Sequence, residues 1–265
     1  MTVVVDVDGI HKSYGGVHAV RGVSFRLAAG EMLALIGPNG AGKSTCFNML
    51  HGQIKPDRGR ITILGRDTTR LDPRRIWALG VGRTFQITAT FGSMTVIENV
   101  QVALVSADAA LAWRLGALGT LKRAEAERLL ALVGLADQAG RPCGELAYGD
   151  LKRLELAVAL SNDPKVLLMD EPTAGMAPAE RIDLMRLTAE IARERGLGVL
   201  FTEHDMDVVF EHADRIMVLD RGNLIAEGSP TAVRHDPKVR EVYLGGGSTF
   251  AAETEVAAPA PGGAQ

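Results

Sequence analysis

The chain has 265 residues, 46% of them hydrophobic and 23% charged, with a formal net charge of -3. That length can bury one large core or two modest ones, while the charge balance and the lack of a sustained basic block argue against a nucleic-acid binder. Cys46 and Cys143 are too far apart to suggest a disulfide framework or a thiolate metal site, the first residues lack the basic leader of a signal peptide, and no uncharged apolar run reaches the roughly 18 residues of a membrane span.

In chain order, alternation predicts short strands over 3–8, with Val3, Val5 and Val7 on one face, and over 22–28, with Val23, Phe25 and Leu27 on another. Ala29-Gly30-Glu31 turns the chain into the apolar run Met32–Ile36. Gly37-Pro38-Asn39-Gly40-Ala41-Gly42-Lys43-Ser44-Thr45 follows, and 46–50 reads as a helix. Strand, glycine-rich turn and helix form the context of a phosphate-binding loop. Its backbone N–H groups converge on phosphate oxygens, and the helix start adds donors and a favourable dipole. Lys43 would reach the outer phosphates and Ser44 would offer its hydroxyl to Mg²⁺.

Residues 55–60 read as a polar turn, 61–64 as a strand, 74–80 as a helical turn with a glycine stop, and 81–85 as a strand. From about Val96 to Ala157 the β-branched runs give way to Ala- and Leu-rich stretches. Helices are expected at 123–132 and 151–160, with Gly116 and Gly119 breaking the middle, so a helical subdomain is placed at 90–157. Strands return at 166–169 and 199–202, with a long helix over 179–195 between them. Residues 216–219 and 224–228 read as a hairpin around 220–223. The Gly-, Ala- and Pro-rich end, 246–265, is expected to be disordered.

Four apolar residues at 166–169 suit a central strand buried on both faces, and Asp170 and Glu171 end it where open α/β sheets bind ligands. Asp170 can hold Mg²⁺, directly or through water, and Glu171 can polarise an attacking water. His204 follows another apolar run. It is placed either to contact a γ-phosphate or to make ordinary strand-end hydrogen bonds. Gln86 can ligate Mg²⁺ through its carbonyl oxygen, or is a plain loop residue. Tyr14 can stack on a purine, although as one of three tyrosines it has an ordinary surface role as the competing reading.

These motifs, in this order, resemble the nucleotide-binding subunits of ABC transporters over roughly residues 3–245. The resemblance implies an α/β fold: a P-loop NTPase core of the ABC ATPase type (1–89 and 158–245), an N-terminal antiparallel β region, and an inserted helical signature subdomain at 90–157. It implies a single nucleotide-binding domain, 1–245. It gives Glu171, His204 and Gln86 the hydrolytic roles, with Ser44, Gln86 and Asp170 at Mg²⁺. ATP would contact Tyr14, Val20, Asn39, Gly40, Ala41, Gly42, Lys43, Ser44 and Thr45. Leu146-Ala147-Tyr148-Gly149-Asp150 resembles the signature, usually Leu-Ser-Gly-Gly-Gln, so Ala147, Tyr148 and Gly149 would meet ATP held by a second subunit. Three positions depart from the pattern. Ala147 replaces serine. Asp150 replaces glutamine, adding a carboxylate near phosphate unless it points away or pairs with Lys152 or Arg153. Ala177 leaves the D-loop, 174–178, without a side-chain hydrogen bond.

Within the family, residues 85–91, 94–100, 203–209 and the end 225–245 are similar to importers of branched-chain amino acids and related solutes such as urea, amides and aromatic acids. That implies ATP and Mg²⁺ as cofactors. A second nucleotide-binding subunit, two transmembrane permeases and a periplasmic or lipid-anchored solute-binding protein would be the partners, with a paralogue favoured over a second copy for the first of these. The place is the cytoplasmic face of a prokaryotic membrane, without a membrane span or a nucleic-acid partner. Competing readings are an exporter subunit, a regulatory ATP clamp with little turnover, and a soluble ABC ATPase acting on ribosomes or DNA.

Overall fold

The computed structural model describes residues 2–84, 90–107 and 121–244. Strand β3 (Met32–Ile36) is buried at all five positions, and parity divides it between two cores. Met32, Ala34 and Ile36 pack with the helices of the second half of the chain, whereas Leu33 and Leu35 pack with an antiparallel sheet and the helix over 43–50. Strands β7 (Val166–Asp170), β8 (Gly198–Thr202) and β9 (Arg215–Asp220) divide in the same way. This is the period of two expected of strands covered on both faces. With β6 (Val81–Thr84) and β10 (Asn223–Gly228) they form a six-stranded sheet, ordered β10-β9-β3-β8-β7-β6. Every pairing in it is parallel except β10 with β9.

The second sheet is antiparallel, ordered β2-β1-β4-β5, from β1 (Val3–Tyr14), β2 (Val17–Ala28), β4 (Arg58–Ile63) and β5 (Arg66–Asp67). β1 and β2 run well beyond the predicted 3–8 and 22–28. Their register shifts between Val7 and Ile10, where Gly9 has φ +54°. A bulge of this kind breaks the alternation that marks a strand in sequence. The polar turn expected at 55–60 is also corrected, because β4 begins at Arg58. There Gly59 lies so close to β1 that a Cβ would stand 2.2 Å from the Gly9 carbonyl oxygen, and its exposed arginine neighbours disguise the strand.

Helices α1 (Lys43–Leu50) and α2 (Pro73–Ala78) belong to the first half of the chain. Then α3 (Val96–Ala107), α4 (Arg123–Leu132) and α5 (Tyr148–Leu160) follow with no strand between them among the described residues. α4 falls where expected, and α5 starts three residues early. The long helix is α6 (Pro178–Arg195), closed by Gly196 in the left-handed region. Helices α7 (Met206–His212) and α8 (Pro230–His235) escaped the sequence reading because each is barely two turns long. They are capped by Asp205 and Ser229, and α9 (Pro237–Leu244) follows. Gly116, Gly119 and the tail lie outside the described residues. Among the described residues no helix is long and apolar enough to cross a membrane.

Phe201, fully buried near the C-terminal end of β8, tests this packing. Phe201→Ala is expected to lower the unfolding free energy by about 3–5 kcal/mol in urea titration.

Candidate active site

Strand order assembles the site. β8 lies between β3 and β7, so three C-terminal ends converge: the loop 37–45 after β3, Asp170-Glu171 at β7, and Thr202-Glu203-His204 at β8. Two loop glycines are required by space as well as by torsion. A Cβ would stand 2.2 Å from the Leu219 carbonyl oxygen at Gly37 and 2.3 Å from that of Ala19 at Gly42. Gly40, at φ +80°, has open space where its Cβ would be, and the backbone there is accessible. Gly42 gives α1 no side-chain cap, so the first N–H groups of the helix have no intrahelical acceptor. Lys43 is 8% exposed. Its Nζ donates to the carbonyls of Gly37 (2.6 Å) and Pro38 (3.2 Å). Burial holds its pKa below the usual lysine value, opposed by the negative charges of Glu171 and Asp170. A glycine cradle, an uncapped helix start and a lysine together fit a phosphate chain.

Around Glu171 and His204 runs a connected set of hydrogen bonds. His204 Nε2 and Glu171 Oε1 are 2.8 Å apart. Glu171 has φ +50°, an uncommon conformation for a residue with a side chain. Its N–H donates to Thr202 Oγ1 at 3.0 Å, and that hydroxyl donates to Asp170 Oδ1 at 2.8 Å. The other oxygen, Oδ2, is 3.8 Å from the guanidinium of Arg83. Arg83 also donates to Asn48 and Gln53 on the far side. Buried Glu203 accepts from the Thr173 N–H (2.8 Å), the Thr173 hydroxyl (2.7 Å) and the His204 N–H (3.2 Å). Burial pushes its carboxyl above the usual range, and those three donors pull it back. Thr202, Glu203 and Arg83 were missed in the sequence. The available signal was that each stands at or beside the end of an apolar strand.

Other predicted residues are placed as follows. Tyr14 is 48% exposed at the end of β1, with Lys12 Nζ 5.6 Å from its ring centre. Val20 is buried and packs beneath Gly42, so its side chain supports the loop from below. Asn39 and Ser44 are exposed, whereas Ala41 is buried and Thr45 is half-buried. Gln86 lies outside the described residues. Ala147 caps α5 without a side-chain bond. Neither basic neighbour pairs with Asp150: Lys152 Nζ bonds Glu155 at 3.0 Å, and Arg153 donates to the Val133 carbonyl.

A parallel sheet with a glycine loop, a lysine, two carboxylates and a histidine at one edge defines a P-loop nucleotide hydrolase. The chain belongs to the ABC transporter family, whose model matches residues 20–174, and it is an ATP-binding, ATP-hydrolysing subunit of that family. Residues 223–249 match the model of the branched-chain amino acid ATP-binding cassette transporter. The chain is 41% identical over 249 residues to the high-affinity branched-chain amino acid transport ATP-binding protein LivG of Salmonella typhimurium, covering 90% of this chain and 96% of that one. It is 36% identical to the lipopolysaccharide export system ATP-binding protein LptB of Acidithiobacillus ferridurans, covering 92% and 98%. Its fold is similar to the ADP conformation of MJ1267, an ATP-binding cassette of an ABC transporter, with TM-score 0.81, 32% identity and coverage of 92% and 100%.

Next to Arg83, buried His51 has its pKa pushed down to about 4 by burial and by the arginine charge. A depressed base gives stability that is present above its unfolded value near 6.5 and is lost as pH falls towards 4. Wild type is therefore expected to lose up to roughly 3 kcal/mol relative to His51→Gln across that window, measured by urea unfolding at each pH.

Proposed function

We propose that this chain is the motor subunit of a membrane importer for branched-chain amino acids or a related small solute. The observation that carries the reading is the match of residues 223–249 to the branched-chain family model, on a chain whose Glu171 and His204 stand 2.8 Å apart beside the phosphate loop. The LptB likeness favours an exporter as the second reading, and the match of residues 223–249 to the branched-chain family model weighs against it.

In this reading, the loop N–H groups and Lys43 bind the phosphates of ATP, and Tyr14 stacks on the base. Mg²⁺, held by Ser44, Asp170 and Gln86, would neutralise the phosphate oxygens. Glu171 accepts the proton of the attacking water, and His204 orients both. Thr202 and Arg83 hold the Asp170 carboxylate in place. The start of α5, at Ala147, Tyr148 and Gly149, covers the nucleotide of a second subunit, a paralogue in preference to a second copy. Hydrolysis then reopens the pair. The helices at 90–157 form the moving subdomain. Phe91 is 53% exposed, and its backbone is clamped by the side chain of Asn99. It offers a rigid apolar contact to a transmembrane permease, two of which work with a solute-binding protein outside. The chain then sits at the cytoplasmic face of a prokaryotic membrane.

Glu171→Gln is expected to lower turnover of the assembled transporter at least about 100-fold. ATP binding should persist, and light scattering should show MgATP-dependent dimers with the paralogue. Monomers despite bound ATP, or unchanged turnover, would sink this reading. The Asp150 carboxylate, paired with neither Lys152 nor Arg153, is expected to slow hydrolysis, so Asp150→Gln should raise turnover by about fivefold, equivalent to roughly 1 kcal/mol of barrier.

A further inference from the structure

We propose that Tyr148 is a positioning residue for the hydrolytic pair: from the start of α5 it holds, in its own chain, the turn that carries Glu171. This rests on the reading of Glu171 and His204 given above. Tyr148 Oη donates to the Ala174 carbonyl at 3.1 Å. Its ring lies on Gly175, where a Cβ would stand 3.2 Å from the ring and where φ is +82°. On the ring's other neighbour, Lys152 Nζ is 5.6 Å from the ring centre, and Glu155 fixes it in a buried pair. The Ala174 N–H donates to the Glu171 carbonyl at 3.2 Å. One residue, Ala174, and one hydrogen bond therefore separate the tyrosine's anchor from the catalytic carboxylate's backbone. A second contact runs alongside: a Cβ on Gly149 would be 2.9 Å from the Glu180 carboxylate, which accepts from the Ala177 N–H.

The turn 171–178 is tied on its other sides as well. Glu203 holds Thr173. Arg181 holds the Met176 carbonyl at 2.8 Å and Asp205 at 2.7 Å. A non-glycine residue at φ +50° persists only when its surroundings hold it there, and these ties supply the restraint for Glu171. Glu203 and the Arg181–Asp205 pair bind the turn to the end of β8, where His204 stands. Tyr148 binds it to α5 and is 45% exposed, at the helix start assigned to the neighbouring subunit's nucleotide. A displacement of that helix start therefore reaches Glu171 through a side chain of the same protein.

The test is Tyr148→Phe, which removes the hydroxyl and keeps the ring, with Glu203→Gln as a companion that loosens the same turn from the opposite side. Hydrogen exchange is measured on the isolated full chain without nucleotide, and turnover on the assembled transporter. Both variants are expected to raise exchange of the amides at 171–176 by about fivefold, the loss of one hydrogen bond, and to lower kcat by about three- to tenfold, with KM for ATP within about twofold and the melting temperature held. Three results would overturn the proposal: exchange unchanged in Tyr148→Phe, faster exchange with kcat unchanged, or an effect on KM alone. The second would make the tie structural only, and the third would assign the Tyr148 hydroxyl to nucleotide binding instead of to the turn. A wild-type transporter without turnover is a separate failure, of the ATPase reading itself, and overturns the positioning role with it.

Discussion

Everything at the functional edge depends on β8 being held between β3 and β7. Each of the three strands is buried on both faces, so a one-residue slip would send its whole alternating set into the wrong core. Their C-terminal ends are fixed relative to one another by that penalty. The phosphate loop, the Asp170-Glu171 step and His204 need no further scaffold to share one edge of the sheet. The antiparallel sheet and α1 together cover one face: Leu33, Leu35, Val166, Leu168 and Leu200 share a core with them.

A second layer of restraint is polar and comes at a cost to stability. Lys43, Glu203 and His51 are each less than 9% exposed, and burial shifts each of them toward its neutral form. A fold selected only for stability would replace such groups with hydrocarbon. Here Glu203 collects three donors at the point where the turn after Glu171 meets the end of β8. Arg83 and Thr202 divide the two oxygens of Asp170 between them. The Asp170 carboxylate is thus oriented by the protein's own side chains, which is the condition for electrostatic catalysis without reorganisation.

The start of α5 shows how a motif can lose one type of contact and gain another. Ala147 and Ala177 have no side-chain hydrogen bond to give, and Ala177 retains only half of a capping box, the Glu180 carboxylate on its own N–H. Tyr148 provides both bulk and a hydroxyl, and spends them on Ala174 and Gly175 in its own chain. The polar contact of this region is made at the joint between α5 and the turn that follows Glu171.

Much of this was legible in the residues alone. The glycine loop is local chemistry: Gly37, Gly42 and Lys43 sit next to one another, and their flanks announce a strand and a helix. The same holds for Asp170 and Glu171 after four apolar residues, and for the hairpin around 220–223. The β1–β2 hairpin was underestimated because the bulge at Gly9 interrupts the alternation. β4 was cut short because Gly59 between two arginines looks like a turn until Gly9 is seen against it. By itself the sequence determined which residues could bind phosphate, polarise water and meet a second subunit, since those properties belong to side-chain types at short spacing. Only the tertiary structure decided that β8 separates β3 from β7, that Thr202 and Arg83 share Asp170, and that Tyr148 reaches Ala174. Those pairings join residues that lie up to 167 positions apart (Met32 to Val199), and burial of both sheet faces, not local spacing, selects them.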